Sequence, residues 1–133
     1  MDRDPIAEFL ACRRIAVAGA SQDREKYGNK VLVDLLAHGY DAIPIHPREA
    51  VIEGRSCVAS VADLPADVEA LSIVTPPKVT EQVVEAAAAK GISRLWMQPG
   101  AESELAVRRA RELGLTLIAE GPCLLVALRT RRR

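Results

Sequence analysis

Apolar residues recur along this chain in two alternating rhythms. Residues 14–18, 41–45, 70–74, 94–97 and 115–119 are short, nearly unbroken apolar runs, the pattern of strands covered on both faces. Between them the spacing turns helical. From Gly28, Val31, Leu32, Leu35 and Leu36 share one helical face, and Gly39 closes the helix. Residues 78–90 and 103–113 read as two more helices, stopped by Gly91 and Gly114. Asp4-Pro5 predicts a short helix to about Cys12, with Asp as cap and Pro in the first turn. Pro44 sits awkwardly inside the second run, because proline cannot donate to a central ladder. Residues 48–65 are irregular, with a turn at Glu53-Gly54 and a single helical turn from Ser60 to Leu64. Residues 124–128 are apolar but too short to assign.

The strand–helix alternation predicts an α/β fold: a three-layer, Rossmann-like, doubly wound sheet of about five parallel strands. The length of 133 residues fits one domain, taken as 1–128, followed by a basic tail, 129–133. No internal repeat interrupts this reading.

Charge and composition narrow the function. The 18 basic and 18 acidic residues cancel, but Arg129, Arg131, Arg132 and Arg133 crowd the end. Without those four, 14 basic residues face 18 acidic ones, a body of −4. That disfavours nucleic acid as a partner, as does an aromatic set limited to Phe9, Tyr27, Tyr40 and Trp96. No apolar run is long enough to span a membrane, and the charged start suits a cytoplasmic protein without a signal peptide. Cys12, Cys57 and Cys123 lie far apart, without metal-ligand spacing, and read as reduced thiols. Neither His38 nor His46 falls in a metal or triad pattern, and no catalytic constellation emerges.

Ligands of open parallel sheets bind beyond the carboxyl ends of the strands. The first end offers Gly19, Ala20 and Ser21, small enough for a phosphate to approach backbone N–H groups, with Lys26 as a mobile cation. Seven residues separate Ala20 from Gly28, so this loop is longer than the dinucleotide fingerprint. The second end, His46-Pro47-Arg48, lacks the acidic residue of an NAD site and suits a phosphorylated ribose, of NADP or of coenzyme A. Thr75-Pro76-Pro77 offers a stiff apolar wall or simple punctuation. Trp96 reads as core, Gln98 as polar and turned toward the crevice, and Cys123 first as a buried, inert thiol and second as one facing the ligand.

Together these residues resemble the CoA-binding domain family. The likeness is carried by Val17-Ala18-Gly19-Ala20-Ser21, Lys26-Tyr27-Gly28, Gly39-Tyr40, Pro44-Ile45-His46-Pro47, Ile52-Glu53-Gly54, Asp63-Leu64-Pro65, Pro76-Pro77, Val83-Val84-Glu85-Ala86, Trp96-Met97-Gln98-Pro99-Gly100 and Gly114-Leu115. It extends from about Ile15 to Cys123 and is similar to the nucleotide-binding domain of the succinyl-CoA synthetase α subunit. The resemblance implies coenzyme A as ligand. Gly19, Ala20, Ser21 and Lys26 would hold the phosphates, His46 and Pro47 would meet the adenosine, and Thr75, Pro76 and Pro77 would line the cleft. Tyr27 and Gln98 complete the candidate contacts. The family often has Asn where His46 stands, and residues 122–126 depart from its usual ending. The synthetase's phosphorylated histidine has no counterpart here, so ligase chemistry does not follow from the fold. The expectation is therefore a binder of coenzyme A or acyl-CoA without catalytic machinery of its own, with an NADP-dependent oxidoreductase or redox sensor as the alternative. An unpaired sheet edge leaves room for a homodimer.

Overall fold

Strands β1 (Arg14–Ala18), β2 (Asp41–Ile45), β5 (Ala70–Ile73), β6 (Arg94–Met97) and β7 (Thr116–Ile118) form one all-parallel sheet in the order β2-β1-β5-β6-β7. This computed structural model describes residues 4–130. Helices α1 (Pro5–Leu10), α2 (Tyr27–Ala37), α3 (Pro77–Lys90), α4 (Glu104–Glu112) and α5 (Leu124–Thr130) cover the sheet. A hairpin, β3 (Val51–Ile52) and β4 (Arg55–Ser56), follows β2. The α/β doubly wound architecture is the expected one.

The two faces of the sheet follow from the period-two pleat. Ala16, Ala18, Leu71, Ile73, Leu95 and Met97 point to one side and pack with Val84, Ala87 and Val107 of α3 and α4. Ile15, Val17 and Trp96 point to the other, among Phe9, Leu32, Leu35 and Leu124 of α1, α2 and α5. Phe9 meets Trp96 edge to face, with ring centroids 5.2 Å apart. Trp96 is core, as expected.

Pro44 is tolerated because β2 is the outermost strand of the sheet. Its carbonyl accepts from the Val58 N–H, and the His46 N–H donates to the Val58 carbonyl, so residue 58 finishes that edge. Asp4 caps α1 through its carboxylate, accepting from the Ile6 and Ala7 N–H groups. The turn after Ser60 is 3-10 (Val61–Asp63), and the Ser60 hydroxyl donates to Asp63 instead of capping the backbone.

Two segments differ from the sequence reading. The stretch after His46 contains the β3–β4 hairpin, turning at Glu53-Gly54 as expected. The unassigned run from Leu124 is helix α5, which includes Arg129; the expected basic tail therefore starts inside a helix. Arg131, Arg132 and Arg133 lie outside the described residues, as do Met1, Asp2 and Arg3.

Candidate functional site

The strand order reverses between β1 and β5: the chain leaves β1 for β2 on one side and later returns to β5 on the other. Diverging connections open a crevice above the carboxyl ends of these two strands. Two adjoining cavities occupy it. One, of about 500 Å³, is lined by Gly19, Ser21, Lys26, Thr75, Pro76 and the Pro99–Ala101 turn. The other, of about 550 Å³, lies between β2 and α3 and is lined by Gly19, Ala20, His46, Pro47, Ser60 and Val83, among others. Gly19 and Thr75 border both.

The crevice depends on two glycines. Gly19 has φ +92°, and a Cβ there would stand 2.9 Å from the Val74 backbone carbonyl. Gly28, in the first turn of α2, packs so closely on the Gly19 carbonyl oxygen that a Cβ would collide with it. The start of α2 is thereby pressed against the end of β1. Its N-cap, Lys26, makes no side-chain capping bond and lines the first cavity.

Several polar groups are already committed. The Ser21 hydroxyl oxygen accepts from the Asp23 N–H at 3.0 Å, which shapes the loop and leaves the hydroxyl proton to donate. His46 Nδ1 accepts from the Arg48 and Glu49 N–H groups, both at 3.0 Å. That fixes the ring proton on Nε2, a donor beside the second cavity. Thr75 shares a hydroxyl–hydroxyl bond of 2.7 Å with the buried Thr80 of α3.

Eight of the eleven candidate residues are thus brought to the crevice: Gly19, Ala20, Ser21, Lys26, His46, Pro47, Thr75 and Pro76. Tyr27, Pro77 and Gln98 line neither cavity. Pro77 is an exposed first residue of α3. Gln98, expected to face the crevice, is fully buried beneath it. Its amide donates to Ser72 Oγ at 3.2 Å, and its carbonyl accepts from the Leu124 N–H at 2.9 Å and the Tyr27 hydroxyl at 3.4 Å. Trp96 Nε1 donates to the Pro122 carbonyl at 3.0 Å. The Trp-Met-Gln run therefore fastens the segment leading into α5. The Tyr27 hydroxyl also contacts Cys123 Sγ, and burial followed by that hydrogen bond pushes the phenol well above its ordinary range. Cys12, Cys57 and Cys123 are all free thiols.

Lining residues missed by the sequence reading include Ser60, Val79, Gln82, Val83 and Ala86 of the second cavity and Ala101 of the first. A signal was present, since Val79, Val83 and Ala86 stand at i, i+4 and i+7 of α3 and define one face. Among the described residues no group of three or more His, Cys, Asp or Glu could hold a metal, and no helix is long and apolar enough to cross a membrane.

A doubly wound parallel sheet with a small-residue crevice at its switch point defines a Rossmann-like α/β domain. Comparison with known proteins narrows it. The chain belongs to the CoA binding domain family, whose profile matches residues 13–129. The α subunit of acetate–CoA ligase (ADP-forming) II from Pyrococcus furiosus is 34% identical over 85 residues, which are 63% of this chain and 19% of that protein. The chain thus spans about a fifth of that ligase subunit's length. Among solved structures, a conserved hypothetical protein from Pyrococcus furiosus is 44% identical, with a TM-score of 0.82 over 86% of this chain and 97% of that one. A dinucleotide-forming acetyl-coenzyme A synthetase 1 from Ca. Korarchaeum cryptofilum is 30% identical with a TM-score of 0.69, covering 79% of this chain and 25% of its own.

Proposed function

We propose that the crevice binds coenzyme A or an acyl-CoA, and that the domain catalyses no reaction on its own. The observation that carries this is the contact of Gly28 with the Gly19 carbonyl. It sets the start of α2 beside the end of β1, with the N-cap Lys26 at the crevice, and a helix dipole so placed favours a phosphate. Lys26 adds a full charge on the same side, and the Ser21 hydroxyl adds a donor. The cavity beside His46 and Pro47 is mainly aliphatic, as an adenine ring requires, with His46, Ser60, Thr75 and Gln82 as its polar residues. Membership of the CoA binding domain family and the likeness to an acetate–CoA ligase subunit support the same ligand.

Capture then rests on local donors, because a body of −4 does not steer a polyanion from a distance. Calorimetry with coenzyme A, dephospho-CoA and NADPH tests the reading. We expect coenzyme A to bind, dephospho-CoA to bind about tenfold more weakly for want of one charge-assisted contact, and NADPH to compete poorly. Equal affinity for the first two would remove the site for the 3′-phosphate. Binding of none of them would remove the function, and NADPH binding that coenzyme A does not displace would favour a redox role.

A further inference from the structure

The β3–β4 hairpin lines neither cavity, yet it grips the loop that does. Glu53, at the hairpin tip, accepts from Arg24 Nε at 3.0 Å and Nη2 at 3.4 Å, and from Asn29 Nδ2 at 2.9 Å. Asn29 is 2% exposed, and the same amide donates to the Ser21 carbonyl at 2.9 Å. Gln22 Nε2 donates to the Glu49 carboxylate at 3.1 Å and to the Val51 carbonyl at 2.8 Å. The loop is therefore fastened at residues 21, 22 and 24, and α2 at residue 29. Three of these links pass through or reach Glu53.

Glu53 is unusual in its backbone as well. It has φ +49°, a conformation that costs a residue with a Cβ and is retained where its surroundings over-determine it. Its side chain is 18% exposed against 80% for its partner Arg24. Hydrogen bonds from Asn29 and Arg24 hold its carboxyl below the ordinary carboxylate range, so it is ionised at neutral pH. Both Asn29 amide protons have acceptors, one of which is Glu53; removing that carboxylate strands a buried donor. Arg24 is spent on the same carboxylate. Lys26 is then the residue of fixed positive charge lining either cavity among the described residues.

We propose that Glu53 is a positioning residue for the ligand: through Asn29 and Arg24 it holds the loop of residues 21–26 so that Ser21 and Lys26 face the crevice. Its consequence for affinity rests on the coenzyme A reading above; its consequence for the loop does not. The test pairs amide hydrogen exchange on the free full chain with calorimetry using coenzyme A. Glu53→Ala is expected to speed exchange across residues 21–26 about tenfold or more while β5 and α4 stay unchanged, since only a local opening is made easier. It is expected to weaken coenzyme A binding about tenfold, the size of one lost charge-assisted bond. Glu53→Gln keeps an acceptor for Asn29 and should recover most of both effects. Glu53→Asp, with a shorter reach, replaces the alanine variant under the same criteria if that variant does not fold.

Unchanged exchange in residues 21–26 would overturn the proposal. So would faster exchange with coenzyme A affinity still at the wild-type value, or a glutamine variant no better than alanine. If the wild-type protein gave no heat with coenzyme A, the functional reading would fail. The exchange arm would then decide alone whether Glu53 fixes the loop.

Discussion

The two ends of the parallel sheet solve opposite problems. At the amino ends of the strands, charged side chains meet one another. Arg14 bridges Asp41 at 2.8 Å and Asp67 at 2.6 Å, Arg55 contacts Asp41, and Arg94 lies 3.8 Å from Glu8. At the carboxyl ends the two cavities are lined mainly by glycine, alanine, proline and aliphatic residues, with Lys26 at the first. Charges that pair internally have nothing left for a ligand. A surface of small residues and open backbone can accept one. The difference shows where a domain whose body is net negative would take the anion proposed above.

Breaking that contrast should hurt most at the close approach. Gly28→Ala drives a methyl group into the Gly19 carbonyl, and we expect a loss of about 3 kcal/mol in urea unfolding with coenzyme A binding abolished. A variant of native stability would mean that α2 does not need to press on β1. Next is Gln98→Ala, which leaves the Ser72 hydroxyl and the Leu124 N–H without their partner below the crevice. It should cost about 2 kcal/mol, visible as a lower urea midpoint.

These two variants also mark what was legible in the sequence. The sheet strands were, because apolar runs buried on both faces stand out from helical spacing. The crevice was legible through its glycine and small residues and through the strand-end rule. The β3–β4 hairpin was not, because strands of two residues have no period, and its purpose lies in bonds such as Gln22 to Val51 that span 29 residues. Helix α5 was hidden for a related reason: no local Ser or Asp caps it, and the acceptor for the Leu124 N–H is Gln98, 26 residues away. The same bond explains why Gln98, polar and next to a Pro-Gly turn, points inward.

Smaller effects separate ligand from scaffold. Lys26→Ala removes an exposed charge from the crevice and should lower coenzyme A affinity about tenfold with an unchanged melting temperature. Arg14→Ala at the opposite end should cost about 0.5 kcal/mol, as expected of partly exposed ion pairs, and leave calorimetric affinity for coenzyme A untouched. A loss of affinity in this variant would erase the distinction between the two ends.

The central claim is that coenzyme A occupies the carboxyl-end crevice. Titrating it into the isotope-labelled protein and following backbone amide shifts tests this directly. The account predicts the largest changes at Gly19, Ser21, Lys26, His46 and Thr75, with Arg14, Asp41, Arg55 and Asp67 unmoved. Shifts gathered at the amino ends of the strands, or none at all under saturating ligand, would contradict it.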